Sequence, residues 1–159
     1  KSLSKKQMPI NSHLKWQVNY EPGKLEAIAY RKNKKLTTLV QTTSEPTILI
    51  LEASKKIMLA NGKDAVVVNV SAQDKNGLLV PTANNLIQFS VEGDATIIGV
   101  GNGDPSSHEA DKCEPNNWKR SLLNGKAQVI LLSGKKQNVI QLKATSTEPQ
   151  SAIVSLQQK

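Results

Sequence analysis

The stretch LLVPTANNLIQFSVEGDATIIGVGNGDPSSHE, residues 78–109, decides the fold predicted for this chain. Within it, Leu86–Val91 is rich in apolar and aromatic residues and Thr96–Val100 is rich in β-branched residues, so both segments are predicted strands. From Gly101 onward, glycine, asparagine, aspartate and proline replace this pattern, and these residues favour turns. A structural hairpin closes in two to five residues, whereas this excursion extends to about Arg120. Long loops of this kind often carry function.

The same pattern of short candidate strands continues through the rest of the chain after Pro46. Turn residues separate five further candidate strands: Thr47–Ala53, Ala65–Gln73, Ala127–Leu132, Gln137–Thr145 and Ser151–Leu156. Seven short strands at this spacing predict an all-β fold, an immunoglobulin-like β-sandwich over residues 45–159. The Cys…Trp…Cys signature of antibody domains is absent, so the predicted core is aliphatic.

The first 44 residues form a separate predicted segment. Apolar and polar residues alternate in three places, which predicts strands at residues 14–18, 25–30 and 36–43. Three strands are too few to bury both faces of a sandwich. Residues 1–44 are therefore predicted to be the C-terminal strands of a truncated β-sandwich, resting on the remainder of that domain or on its neighbour.

Three motifs in the second segment carry a resemblance to a known family. They are D-x-x-G at residues 74–77, V-P-x-A-x-N at 80–85 and I-x-G-V-G-N-G-D-P-x-x-H-E at 97–109. Together they resemble the immunoglobulin-like domain near the C-terminus of bacterial β-galactosidases of glycoside hydrolase family 2. The stretch KRSLLNGKAQVIL, residues 119–131, is also similar, and residues 13–46 resemble the end of the preceding β-sandwich domain in those enzymes.

The resemblance implies a function for the parent protein and a different one for this chain. The parent is expected to be a retaining β-galactosidase that acts in carbohydrate degradation, in the periplasm or outside the cell. Its catalytic glutamates would lie on a (β/α)₈ barrel, and no counterpart of that barrel is present here. This chain is therefore expected to be a non-catalytic accessory region that packs on other domains of the parent and shapes substrate access through the loop of residues 101–120.

Two other classes of protein share features with this chain. An adhesin-type immunoglobulin-like module has the same strand rhythm, and it predicts repeated sister domains with no catalytic barrel upstream. A carbohydrate-binding module predicts measurable affinity for a galactoside. Both remain open as alternatives to the accessory region.

Four side chains of the long loop are candidates for contact with a sugar or with a neighbouring domain. Trp118 offers an aromatic platform, and Asn102, Asp104 and His108 offer the planar polar groups that recognise sugars. Three interpretations remain open: Trp118 anchors the loop on the sandwich, the loop docks onto the missing catalytic barrel, or the loop contacts a galactoside glycan directly.

The acidic residues of this region favour ion pairs over a metal site. Asp94, Asp104, Glu109 and Asp111 have the oxygen ligands that Ca²⁺ prefers, but their spacing matches no EF-hand loop. Basic residues nearby, among them Arg120, favour a salt-bridged or solvated loop. No metal and no cofactor are expected.

The net charge of +8 is unevenly distributed along the chain. Residues 1–44 hold nine Lys or Arg and two Glu, whereas residues 45–159 hold twelve Lys or Arg and eleven Asp or Glu. Nucleic-acid binders usually combine a basic groove with stacking aromatics or a recognition helix, and neither is visible, so no nucleic acid is expected as a partner. No apolar run approaches the roughly 20 residues that span a bilayer, so no membrane span is expected.

Overall fold

The computed structural model of residues 1–159 contains eleven β-strands and no α-helix, which confirms the predicted all-β class. It divides into two compact units, Lys1–Thr42 and Thr43–Lys159. Because no helix is present, none is long and apolar enough to cross a membrane.

The first unit contains a single antiparallel hairpin. Strand β1, Lys24–Arg31, pairs with β2, Lys34–Gln41, along their full length. All side chains of β1 are exposed, and so are those of β2 up to its last residue.

The strand predicted at residues 14–18 is wrong. This segment has no regular secondary structure and pairs with no other strand. It is held locally instead, because the Lys6 Nζ donates to the Lys15 carbonyl oxygen at 2.9 Å and lies 5.4 Å from the centroid of the Trp16 ring. Alternating polarity shows which side chains would share a face, but a strand also needs a neighbouring backbone to complete its hydrogen bonds.

The second unit contains nine strands in two sheets. They are β3 (Ile48–Ala53), β4 (Ile57–Met58), β5 (Ala65–Gln73), β6 (Leu86–Glu92), β7 (Ala95–Gly101), β8 (Trp118–Ser121), β9 (Lys126–Ser133), β10 (Asn138–Thr145) and β11 (Ala152–Gln158). One sheet has the order β3-β5-β9-β7 and the other the order β4-β11-β10-β6-β8. Only β4 and β11 pair in parallel.

The seven strands predicted in this unit are all present, and two short strands were missed. Strand β4 has two residues and β8 has four. Segments this short carry too few positions for a period of two to be recognised. The structure therefore ends the long loop at Asn117, because Trp118–Ser121 pairs with β6.

The core lies between the two sheets and is aliphatic, as predicted. On β5 and β9 the side chains of alternate residues, among them Val68 and Val129, are fully buried, and these two residues lie directly opposite each other. Phe89 is the one aromatic side chain among the buried apolar residues. Branched aliphatic residues suit such a core because they pack closely on a pleated surface.

A buried carboxylate organises the D-x-x-G turn after β5. Asp74 is fully buried and accepts hydrogen bonds from the backbone N–H groups of Ser44 (3.0 Å), Asn76 (2.8 Å) and Leu78 (3.0 Å), and from the Ser44 hydroxyl. The bond from the Ser44 N–H is the main cause that holds the pKa of Asp74 below its usual range, while burial opposes it. Asp74 thus fixes both its own turn and the segment that leads into β3.

Replacing Asp74 by Asn should lower the stability of this unit and reduce its sensitivity to acid. An amide keeps one acceptor oxygen, but its NH₂ group would face N–H groups that now donate to the second carboxylate oxygen, and two donors cannot bond each other. Because folding lowers the pKa of Asp74, its stabilisation is complete above the unfolded pKa of about 3.9 and is lost as the pH falls through the folded value.

Urea unfolding between pH 7 and pH 2.5 measures both effects. Asp74→Asn should unfold at lower urea than the wild type at pH 7 and should lose less stability on acidification. Glu52→Gln, at an exposed position of β3, is the control. Equal acid sensitivity of Asp74→Asn and the wild type would contradict this role.

Candidate functional site

The segment between β7 and β8, residues 102–117, connects the edge strands of the two sheets and contains no helix or strand. We call it the connecting loop. It holds three of the four side chains predicted to contact a sugar or another domain, and the fourth, Trp118, begins β8. Its conformation depends on the residues that follow it in β8.

Arg120 of β8 is the centre of the connecting loop. It lies opposite the buried Ile87 of β6, so its side chain enters the inner side of the sandwich, where it is 3% exposed. Its Nη1 donates to the Glu109 carbonyl oxygen (2.9 Å) and to Asp111 Oδ1 (2.8 Å), and its Nη2 donates to Asn102 Oδ1 (2.9 Å). These charge-assisted bonds offset the cost of removing a guanidinium from water.

Glu109 joins the connecting loop to β8 from the other direction. Its carboxylate accepts hydrogen bonds from the hydroxyl and the backbone N–H of Ser121. The Ser121 hydroxyl is the main cause that lowers the pKa of Glu109, the Ser121 N–H adds to it, and the positive charge of Arg120 contributes further. The middle of the loop is therefore joined to β8 twice, once by the Glu109 side chain, which reaches from the loop to β8, and once by the Arg120 side chain, which reaches from β8 to the loop.

Asn102 and Asp104 are brought together by the structure, and both bond the loop itself. Asn102 donates to the Ser121 carbonyl oxygen (3.0 Å) and accepts the Asp104 N–H (3.0 Å) as well as Arg120. Asp104 accepts the Ser106 hydroxyl (2.7 Å) and N–H (2.9 Å), and the hydroxyl is the main cause that lowers the pKa of Asp104. Their polar atoms stabilise the turn at the start of the loop, as short polar side chains often do.

His108 and Trp118 lie apart from this network. His108 is exposed and its ring makes no hydrogen bond. Trp118 lies directly opposite Phe89 and packs, half-buried, against the core. This position favours the interpretation in which Trp118 anchors the loop. The four candidates do not form one site, and their contact with a sugar or another domain stays a prediction.

Two acidic residues of the loop, Glu109 and Asp111, form ion pairs, as the salt-bridge interpretation predicts. Asp111 pairs with Arg120 at 2.8 Å, and Glu109 lies 3.8 Å from the Arg120 Nε. Asp94 lies elsewhere, where its carboxylate accepts the backbone N–H groups of Lys135 and Lys136, both at 2.7 Å. No group of three or more His, Cys, Asp or Glu side chains is arranged to hold a metal ion.

Arg120 is the residue that the sequence did not single out. From the sequence it is only one of several basic residues near the acidic loop, because burial of an arginine gives no periodic signal. The available signal was its place in KRSLLNG, between the G-N-G-D-P-x-x-H-E motif and the next turn. A basic residue at that place follows Glu109 and Asp111, whose carboxylates can pair with a positive charge.

Comparison with known proteins agrees with this architecture. Residues 49–155 match the family described as glycoside hydrolase family 2 C-terminal domain 5. The chain belongs to this family. Residues 1–37 match a second family, a domain of unknown function named DUF4982. The resemblance stated from the sequence motifs is thereby confirmed.

Relatives of this C-terminal domain 5 chain are much longer proteins. The chain is 35% identical over 147 residues to the β-galactosidase BoGH2A of Bacteroides ovatus, and the alignment covers 92% of this chain and 17% of that protein. The crystal structure of a glycosyl hydrolase family 2 member from Bacteroides cellulosilyticus matches 91% of the chain with a TM-score of 0.83 and 30% identity, over 18% of its own length. The chain thus spans about a sixth of the length of these relatives.

The same fold also occurs outside this enzyme family. The D00-D0 domain of intimin matches 86% of the chain with a TM-score of 0.51 and 18% sequence identity. At this identity the match shows a shared sandwich architecture only. The fold alone therefore does not distinguish C-terminal domain 5 from an adhesin-type module. The family match over residues 49–155 makes that distinction.

Replacing Arg120 by Met should release the connecting loop and destabilise the unit by about 2 kcal/mol, because Glu109, Asp111 and Asn102 lose a shared donor. The neighbouring Lys119 is exposed, so Lys119→Met removes the same charge as a control, with an expected change within about 0.5 kcal/mol.

Chemical denaturation measures the free energy of unfolding of both variants. The Val100 amide donates to the Asp111 carbonyl oxygen, so its rate of hydrogen exchange shows whether the loop stays bonded to β7, and this rate should rise in Arg120→Met. The assignment fails if both variants exchange at the wild-type rate.

Replacing Ser121 by Ala should raise the pKa of Glu109 towards its ordinary value, because the hydroxyl is the largest cause that lowers it. Carbon-13 NMR of the Glu109 carboxyl during a pH titration measures this shift. Ser155→Ala, at an exposed position of β11, is the control and should leave that titration unchanged. An unchanged Glu109 titration in Ser121→Ala would contradict the hydrogen bond.

Proposed function

We propose that this chain is a non-catalytic accessory region in the C-terminal part of a bacterial family 2 glycoside hydrolase, and that it packs on other domains of its parent. The observation that carries this proposal is the exposed apolar hairpin β1–β2, in a chain that spans only 17% of a related β-galactosidase. The parent would be a retaining β-galactosidase acting in the periplasm or outside the cell.

The hairpin cannot bury its own apolar side chains. Leu25 lies opposite Val40, and Ala29 lies opposite Leu36, so these side chains share one face. Leu25 is 47% exposed, Leu36 61% and Val40 68%. A two-stranded hairpin is at best marginally stable in water, and contiguous exposed apolar surface usually marks an interface. We assign this face to the remaining strands of the same β-sandwich domain in the parent.

Residues 1–44 are therefore proposed to be the last strands of a larger domain, and residues 45–159 a complete sandwich. The separate family matches over residues 1–37 and 49–155 support this division.

The carboxylates of the connecting loop are poorly suited to glycoside hydrolysis. That reaction needs two carboxyl groups placed on either side of the scissile bond, one of them protonated when it acts as the acid. Here Asp111 and Glu109 pair with a buried arginine, and Asp104 bonds its own turn. The pKa values of Glu109 and Asp104 are lowered, which favours their charged forms and opposes an acid role.

The connecting loop is proposed to contact the catalytic domain of the parent and shape access to its substrate. Arg120 fixes the loop from within, while its exposed residues, among them Pro105 and His108, face outward. A loop that is ordered before binding loses little conformational entropy on docking. This role rests on the ordering of the loop and on the family to which the chain belongs.

The central test compares the complete parent polypeptide with this 159-residue chain. We expect the parent to hydrolyse nitrophenyl β-galactoside and the chain to show no turnover at matched molar concentration. A parent that lacks a catalytic domain, or a chain that hydrolyses the substrate, would overturn the proposal.

Placing charge on the apolar hairpin face should weaken the parent enzyme. In the complete parent, the double substitution Leu25→Asp and Val40→Asp should lower the melting temperature and increase proteolysis near the hairpin, because two carboxylates would enter an apolar interface. Asn33→Asp, in the hairpin turn, adds charge outside that face as the control. Identical melting and proteolysis in the parent and the double variant would show that this face is not covered.

A further inference from the structure

A depression of about 490 Å³ lies on the outer face of the β4-β11-β10-β6-β8 sheet, at the point where β8 begins. Strand β6 contributes Gln88 and Ser90, and β10 contributes Lys143 and Thr145. These residues alternate with buried ones, which places their side chains on the outer face. The residues just before Trp118 complete the wall with two further carboxamides, those of Asn116 and Asn117.

Most polar side chains of the depression are free; the exception is the Thr145 hydroxyl, which donates to the Gln88 carbonyl oxygen at 3.4 Å. In contrast to Asn102 and Asp104, the side chains of Gln88, Asn116 and Asn117 form no hydrogen bond within the protein, and the Lys143 ammonium forms no ion pair. Exposed amides that converge on one depression without internal partners offer paired donors and acceptors to a ligand.

Strand pairing and a turn place these residues next to one another. Gln88 lies opposite Thr145 and Ser90 lies opposite Lys143 in the β6–β10 ladder. The Asn117 N–H donates to the Glu114 carbonyl oxygen at 3.1 Å, and Asn116 adopts a φ of 65°. Asparagine tolerates that left-handed conformation better than most residues, so it suits this position of the turn.

The chemistry of the lining indicates its ligand. Three carboxamides and the Ser90 hydroxyl offer both donors and acceptors to the hydroxyl groups of a sugar. No carboxylate lines the depression, and Glu92, two residues beyond Ser90 on the same face of β6, forms no ion pair with Lys143. A ligand carboxylate would form a charge-assisted hydrogen bond with that ammonium.

We propose that this depression binds an oligosaccharide that carries a carboxylate, such as a uronic-acid residue, with Lys143 on the carboxylate and Gln88, Asn116 and Asn117 on its hydroxyls. The site includes the last two residues of the connecting loop, Asn116 and Asn117, but none of the residues that bond Arg120. It does not depend on the docking role proposed above, because binding is measured on this chain without the rest of its parent.

Amide NMR of the 159-residue chain, titrated with trigalacturonate and separately with neutral galactotriose at fixed ionic strength, tests the proposal. We expect saturable shifts at residues 88–90, 116–118 and 143–145 with trigalacturonate, and at least tenfold weaker binding of the neutral sugar. No saturable shift with trigalacturonate would overturn the site, and equal affinity for both sugars would overturn the role of the carboxylate.

Two substitutions in the site and one matched control complete the test. Lys143→Met should weaken trigalacturonate binding about tenfold, which corresponds to the loss of one charge-assisted contact, and Asn117→Ala should weaken binding of both sugars. Lys126→Met, an exposed position on β9 in the other sheet, removes the same charge and should leave binding unchanged. An equal loss in Lys126→Met and Lys143→Met would show general attraction of an anion to a basic protein and would overturn the proposal.

Discussion

Two sheet faces made of aliphatic side chains pack against each other, and the rest of the second unit depends on this contact. Apart from Phe89, the buried apolar residues are aliphatic or methionine, so the core relies on close interdigitation of branched side chains rather than on a few large rings. Any polar group that enters this interior must have its hydrogen bonds satisfied by the protein. Asp74 meets that condition by accepting backbone N–H groups. Arg120 donates to loop oxygens through both of its Nη atoms, while its buried Nε forms no hydrogen bond.

The burial of Arg120 explains how a sixteen-residue connection without secondary structure keeps a defined shape. Loops of this length are uncommon in compact domains unless they have a function or lack order. Here one guanidinium binds the start and the middle of the loop together, and Glu109 ties the middle to β8. Asn102, Asp104 and Glu109 form hydrogen bonds within the domain, while side chains such as Pro105 and His108 are exposed on the outward surface of the loop. Such a surface suits contact with a neighbouring domain.

The two units show how the same local pattern leads to different burial. Alternating apolar residues on β5 and β9 are buried because a second sheet covers them, whereas those on β1 and β2 are exposed. The hairpin has the chemistry of a core strand pair and lacks, within this chain, a second sheet of its own. Relatives about six times longer than this chain supply the context in which such a surface would be covered.

Local chemistry in the sequence determined the seven main strands of the sandwich, because side-chain alternation and turn residues act over a few neighbouring positions. The motifs of residues 74–109 also determined the family. Tertiary structure alone decided that Leu14–Val18 forms no strand, that Arg120 is buried, and that Trp118 packs against the core. It also brought Gln88, Asn117 and Lys143 to one depression. Each of these outcomes depends on strand pairing between segments far apart in the chain, and the partner and register of a strand are properties of the whole sheet.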